Sequence, residues 1–196
     1  MLANEHVRGF IRAMTECVAQ PLDELACLAR ARELMADLIS RDDWLPEAFA
    51  APHPQYYQQY LLYCDPFERF SLASFIWGPG QKTPIHNHTV WGLIGMLRGA
   101  EISQRYEPDG EGRPMRVLER TRLEPGDIEI VSPGTGDIHD VENAYADRAS
   151  VSIHLYGANI GAVRRTIFDP LTGATKPFIS GYASPHLPNF WDRSRD

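Results

Sequence analysis

Cysteine is scarce in this chain. Cys17, Cys27 and Cys64 form neither an even set nor a CxxC pair, which argues against a disulfide framework or a cysteine-based zinc site and leaves reduced, buried thiols as the expectation. Basic residues are also in deficit: 19 Lys and Arg face 26 Asp and Glu, for a formal charge of −7. Such a balance is unsuited to neutralising nucleic-acid phosphates or anionic lipid. No apolar run approaches the roughly 18 residues of a membrane-spanning helix. Met1 to His6 lack a basic-then-apolar signal segment. The expectation is a soluble, cytoplasmic protein with neither nucleic acid nor membrane as partner, and 196 residues fit one domain over 1–196.

Two textures divide the chain. From Glu5 to about Ser40, Val7, Phe10, Ile11, Met14 and Val18 recur at the three-four spacing of a helix face, and Leu25, Leu28, Leu34 and Leu38 repeat it after a break at Pro21. Two helices are expected within about 1–45, the second opening with Pro21 near its first turn. After Pro46 come short β-rich runs between Gly/Pro turns: Gln59–Tyr63, Phe70–Trp77, Trp91–Leu97, Ala100–Tyr106, Arg116–Arg122, Asp127–Val131, Ser150–Tyr156 and Ala162–Phe168. Strands at this spacing over about 55–170 predict a mainly β fold closed as a sandwich or barrel. The tail, 171–196, is expected to end in an irregular segment from Tyr182 onward that lies over the barrel.

Two groups of side chains carry chemistry. His86 and His88 form an HxH pair, and residues two apart on an extended backbone point to one face, so both imidazoles can reach a common point. Gly80 precedes His86 by five intervening residues, and Gly99 follows; downstream stand Gly126, Pro133, Gly136, His139 and Asn143. On Ser150–Tyr156, alternation places Ser152, His154 and Tyr156 on one face and Val151, Ile153 and Leu155 on the other. A hydroxyl, an imidazole and a phenol in that order can form a hydrogen-bonded relay. An ordinary barrel strand with its polar face to solvent has the same pattern.

The spacing over residues 80–143 resembles the two signature motifs of the cupin superfamily, the second displaced by one residue at two places. That resemblance implies a small, jelly-roll-like β-barrel in which His86, His88 and His139 bind a divalent metal. The glutamate that usually completes the set would fall on Gly92, which has no donor. Three neutral imidazoles then leave the metal its full charge and open positions, a centre that favours an anionic ligand. With the Ser-x-His-x-Tyr strand added, the chain is similar from about Gln59 to Phe168 to the thiol dioxygenases of the cysteine dioxygenase type. Segments such as Phe75-Ile76-Trp77-Gly78-Pro79-Gly80 and Tyr156-Gly157-Ala158-Asn159-Ile160-Gly161 look most like the bacterial 3-mercaptopropionate dioxygenases.

The resemblance implies Fe(II), a small thiol carboxylate and O2 as reactants, and a sulfinate as product. Mammalian cysteine dioxygenases have a cysteine at the place of Gly92, joined covalently to the tyrosine matching Tyr156; here Tyr156 is expected to be a free phenol. They also carry an early-strand arginine for the substrate carboxylate, where this chain reads Gln59-Tyr60-Leu61-Leu62-Tyr63. In the bacterial group an arginine at the position of Arg165 takes that task. A guanidinium fork suits a carboxylate independently of any resemblance, and neighbouring Arg164 must point the other way. Gln59 is expected to line the pocket. Expected roles are thus metal binding for His86, His88 and His139, catalysis for Tyr156, His154 and Ser152, and substrate binding for Arg165 and Gln59. 3-Mercaptopropionate ranks ahead of L-cysteine and mercaptosuccinate. The rival readings are a zinc or nickel cupin performing hydrolysis or isomerisation, and a non-catalytic ligand-binding cupin.

Overall fold

A computed structural model of the protein describes residues 3–110 and 112–183. The expected tail therefore lies, from 184 onward, outside the described residues. Two helices, α1 (Ala3–Cys17) and α2 (Glu24–Ile39), precede the strands. The second helix starts later than its pattern suggested. Asp23 is its cap, accepting a hydrogen bond from the Ala26 amide at 2.8 Å, and Pro21 sits outside the helix. Helix α1 buries Phe10, Met14 and Cys17 on one stripe, and α2 buries Cys27, Leu28, Ala31, Met35, Leu38 and Ile39. All three cysteines are buried, with the sulfurs of Cys17 and Cys27 4.0 Å apart between the helices. No described helix is long and apolar enough to cross a membrane, which says nothing of spans made by strands.

The strands are β1 (Gln58–Cys64), β2 (Ser71–Trp77), β3 (Ile85–His86), β4 (Gly92–Arg98), β5 (Glu101–Glu107), β6 (Arg116–Leu123), β7 (Ile128–Val131), β8 (His139–Asn143), β9 (Ser150–Tyr156), β10 (Arg165–Phe168) and β11 (Thr175–Phe178). They form two antiparallel sheets, ordered β1-β2-β9-β4-β7 and β11-β10-β3-β8-β5-β6. The mainly β, jelly-roll-like expectation stands, with one correction: the sheets face each other as a pair and do not close into a barrel. Three strands, β3, β8 and β11, escaped the sequence pattern because they are too short or too polar to show it. The run expected over Ala162–Phe168 opens instead with a 3-10 turn, Ile160–Ala162, so β10 begins only at Arg165.

Two cores lie on opposite faces of the first sheet. Leu72, Ile76, Leu93, Leu97, Val151, Ile153 and Leu155 pack toward the helices. Their alternates Ala73, Phe75, Trp77, Ile94, Met96 and Tyr156 pack between the sheets with Val131 and Val141. Strands β2 and β9 are consequently buried along their whole length. The polar face of β9 looks into the protein, so the solvent-facing alternative does not hold.

Gly95 sets how closely α2 approaches β4. A Cβ there would lie 3.0 Å from Ile39 Cδ1 and 3.1 Å from Met35 Sδ. Gly95→Val is expected to cost about 1–3 kcal/mol by overpacking, read as a lower urea midpoint with unchanged slope. An unaltered midpoint would mean that the helix layer can shift without penalty.

Candidate metal centre and its cavity

The second sheet brings the histidines together. His86, at the end of β3, is the direct antiparallel partner of His139, the first residue of β8. His88 lies past the end of β3, where the chain turns at Thr89 with φ 61°. The HxH pair is therefore delivered by a strand end and the turn after it, and not by one continuous strand. A left-handed conformation is uncommon for a β-branched residue. Asp137 holds it in place: its carboxylate accepts the amides of His88 and Thr89, each at 2.9 Å.

All three imidazoles are buried, their ring centroids 4.9 to 5.0 Å apart. One nitrogen from each lies within 4.8 Å of the others. The opposite nitrogens have partners of their own. His86 Nδ1 donates to the Pro84 carbonyl at 3.0 Å, and His88 Nδ1 to the Asp137 carbonyl at 2.9 Å. A carbonyl can only accept, so in both rings the proton is on Nδ1 and the lone pair is on Nε2. His139 Nδ1 is 3.0 Å from the Ser103 hydroxyl. Burial holds all three rings below the ordinary imidazole range, His139 at about 3. His88 Nε2 is buried with no hydrogen-bond partner. An orphaned acceptor among neutral donors is what a divalent cation would satisfy.

The first sheet supplies the facing wall. Ser152 Oγ lies 2.9 Å from His154 Nε2, and His154 Nδ1 lies 2.8 Å from the Tyr156 hydroxyl, so the relay spacing is realised. Trp77 Nε1 donates to Ser152 Oγ at 3.1 Å, and His154 stacks on Phe75 with centroids 3.9 Å apart. The Tyr156 ring stacks on His88 at 5.5 Å. Burial pushes the Tyr156 phenol up and holds His154 well below the imidazole range, so both are neutral. Gly92 is the direct partner of Tyr156 on β4, and a Cβ there would lie 2.6 and 2.8 Å from two ring carbons. The missing donor at this position is also the space that the phenol occupies.

A cavity of about 330 Å³ lies between the walls, lined by His86, His139, His154, Tyr156, Arg165 and Gln59 among others. Arg165 is 4% exposed whereas Arg164 is exposed, so the pair divides as expected. Although it follows β9 in the chain, Arg165 belongs to the second sheet, on the strand next to β3. Its guanidinium lies over the Phe178 ring at 4.6 Å and donates through Nη2 to Ser180 Oγ at 2.6 Å, while Nε has no partner. Gln59 donates to the Gly181 carbonyl at 3.2 Å. Sequence reading missed Asp137, Ser103, Trp77, Tyr57 and Ser180. Trp77 stands in a segment that carries the resemblance but had no role assigned to it, and the others come to the site only through contacts made in the folded chain.

Three imidazoles of this geometry, set inside a two-sheet β fold, define a candidate mononuclear metal centre. The profile of the family described as cysteine dioxygenase type I matches residues 31–168, well over half of the chain, and the protein belongs to that family. It is a family of dioxygenases acting on thiols. Solved structures that resemble the chain include a Klebsiella pneumoniae protein with a double-stranded β-helix domain, 14% identical, covering 70% of this chain and 97% of its own, TM-score 0.46. A cupin-like protein from Thermotoga maritima is 19% identical over 59% of this chain and 80% of its own, TM-score 0.43.

Asp137→Ala removes both amide contacts that hold the His88 turn and is expected to weaken metal affinity about 10–100-fold, measured by competition with a chromophoric chelator. Unchanged affinity would show that the turn keeps its shape unaided. Gly92→Ala is expected to displace the Tyr156 ring while leaving metal content intact; loss of metal would mean that the glycine supports the ligands themselves.

Proposed function

We propose that the chain is an Fe(II)-dependent dioxygenase that converts a small thiol carboxylate to its sulfinate, with 3-mercaptopropionate as the preferred substrate. The observation that carries the reading is the buried Arg165 guanidinium, with a free Nε, in the same cavity as His86 and His139 of the three-histidine cluster. A forked cation and a metal ion in one pocket suit a molecule with a carboxylate at one end and a thiol at the other. When bound, ferrous iron would supply the Lewis acidity and redox chemistry by which both atoms of O2 join sulfur; His86, His88 and His139 would hold it through Nε2.

The chain's own residues account for the remaining steps. Arg165 binds the carboxylate and fixes how far the thiol reaches. Ser180 holds the guanidinium plane, and Gln59 ties the wall to the late segment. Tyr156 offers a neutral hydroxyl to the cavity, with its proton position governed by His154 and Ser152. The aromatic wall of Tyr57, Phe75 and Trp77 limits water around the reacting end.

Charge favours 3-mercaptopropionate over its relatives. Among the described residues, the cavity lining includes one arginine, no lysine and no acidic residue. The ammonium of L-cysteine would find no carboxylate there, and the second carboxylate of mercaptosuccinate no second cation. Each would be desolvated without a charged partner. A non-catalytic ligand-binding protein has little need of the Ser152-His154-Tyr156 relay, and a zinc or nickel hydrolase would not consume oxygen.

The test is anaerobic loading with Fe(II), followed by oxygen uptake and sulfinate formation with each of the three thiols. The highest kcat/KM is expected for 3-mercaptopropionate, with one sulfinate formed per O2. Oxygen uptake without sulfinate, or none with any thiol, would refute the reading. Arg165→Ala is expected to raise KM for 3-mercaptopropionate by about 2–5 kcal/mol in binding terms, and an unchanged KM would remove the anchor.

A further inference from the structure

One buried ionisable group is not used by these roles. Glu101 opens β5 in the second sheet, is fully buried, and has no hydrogen-bond partner at either carboxyl oxygen. It faces the far end of the relay. The Ser152 hydroxyl and the Trp77 indole lie close enough to favour its ionised form, while burial and the charge of Glu129 oppose it. Glu129, on β7, is itself engaged by Arg105 Nε at 3.0 Å. From β9, His154 and Tyr156 stand behind Ser152. The strands paired with β5 place Asn143 and Leu123 opposite Glu101, neither of them ionisable.

Hydrogen-bond capacity makes the carboxyl part of the chain. Ser152 Oγ already accepts from Trp77 Nε1. If Tyr156 donates to His154 Nδ1, the imidazole proton is on Nε2 and Ser152 must accept a second time. The serine's own proton is then free to turn to the nearby Glu101 carboxylate, whose oxygens have no other partner. If instead Glu101 is protonated and donates to Ser152, every link reverses: Ser152 donates to His154 Nε2, and His154 Nδ1 donates to the Tyr156 oxygen. The charge state of Glu101 thereby decides whether the phenol's proton points along the chain or into the cavity.

We propose that Glu101 is the terminal proton acceptor of the Tyr156-His154-Ser152 chain and the positioning residue that sets its direction. A proton given to the Tyr156 oxygen is passed on as each link exchanges its own. Tyr156 yields its proton to His154 Nδ1, His154 yields that on Nε2 to Ser152, and Ser152 yields its own to Glu101. One S–H bond is broken at the entering thiol and one O–H bond is formed at Glu101. No electrons move, and no member between the ends changes charge. The thiol as donor rests on the function proposed above; the coupling of Glu101 to Ser152 does not.

The two are separable by experiment. In the metal-free protein, infrared difference spectra across a pH titration are expected to show a protonated carboxyl band that is lost with a midpoint near the value of about 8 to which burial raises Glu101. Glu101→Gln should abolish this band. Ser152→Ala, which removes the donor to the ionised form, should move the midpoint upward while Glu101 stays in place. In the Fe(II) enzyme, kcat with 3-mercaptopropionate should rise with pH through the same midpoint. Glu101→Gln, fixed in the reversed arrangement, should flatten that limb and lie at least about tenfold below the wild type one pH unit above it. A midpoint indifferent to Ser152→Ala overturns the proposal even if Glu101→Gln fails to fold, as does a wild-type pH limb retained by Glu101→Gln. A complete absence of turnover with an intact, Ser152-sensitive band would instead refute only the thiol reading.

Discussion

The site depends on the antiparallel pairing of His86 with His139. A two-residue strand and the first residue of β8 place two imidazoles side by side, and the turn that follows folds the third against them. Carbonyl groups of Pro84 and Asp137 then determine which nitrogen is left free in His86 and His88. The backbone accordingly sets the tautomer as well as the position, and it does so without any acidic ligand. Neutral donors leave the charge of a bound cation uncompensated, so the centre would attract an anion such as a thiolate.

The second consequence concerns the facing sheet. Gly92 stands where a carboxylate would complete many such sites, and its lack of a side chain is filled by the Tyr156 ring, which stacks on His88. The absence of a side chain at Gly92 and the room for the phenol are one steric fact. The phenol in turn needs a neutral imidazole beside it, and the buried strand β9 provides that through alternation. The cavity also holds the positive charge of Arg165, carried into the second sheet after a 3-10 turn that breaks the chain away from β9. Each sheet thus contributes a different part: one the three clustered imidazoles and Arg165, the other the hydrogen-bonded Ser152, His154 and Tyr156.

Much of this was legible in the sequence because period-two alternation survives even in a strand buried on both faces. Ser152, His154 and Tyr156 could be placed together from that pattern alone, and Arg165 could be separated from Arg164 by the same reasoning. The helix pair was legible from three-four spacing, though Pro21 marked the break between helices and not the start of the second, because Asp23 supplies the capping carboxylate. What stayed hidden is held by long-range contact. His139 was placed with His86 only through the resemblance; the two are 53 positions apart, from 86 to 139, and no local pattern announces the two-residue strand that pairs them. Asp137 looks like any turn aspartate until its carboxylate is found on the His88 amide. Glu101 begins an ordinary amphipathic strand and is revealed only by the first sheet packing against it. A barrel was expected because regular strand spacing does not distinguish a closed wall from two facing sheets.

The most direct measurement is anomalous diffraction at the iron edge from crystals grown anaerobically with Fe(II) and 3-mercaptopropionate. A single iron peak is expected, within bonding distance of Nε2 of His86, His88 and His139, with the substrate sulfur on the metal and its carboxylate on Arg165. Iron bound elsewhere, held by a carboxylate of the chain, or coordinated through Nδ1 with the rings turned over would contradict a centre made of three neutral imidazoles presenting Nε2.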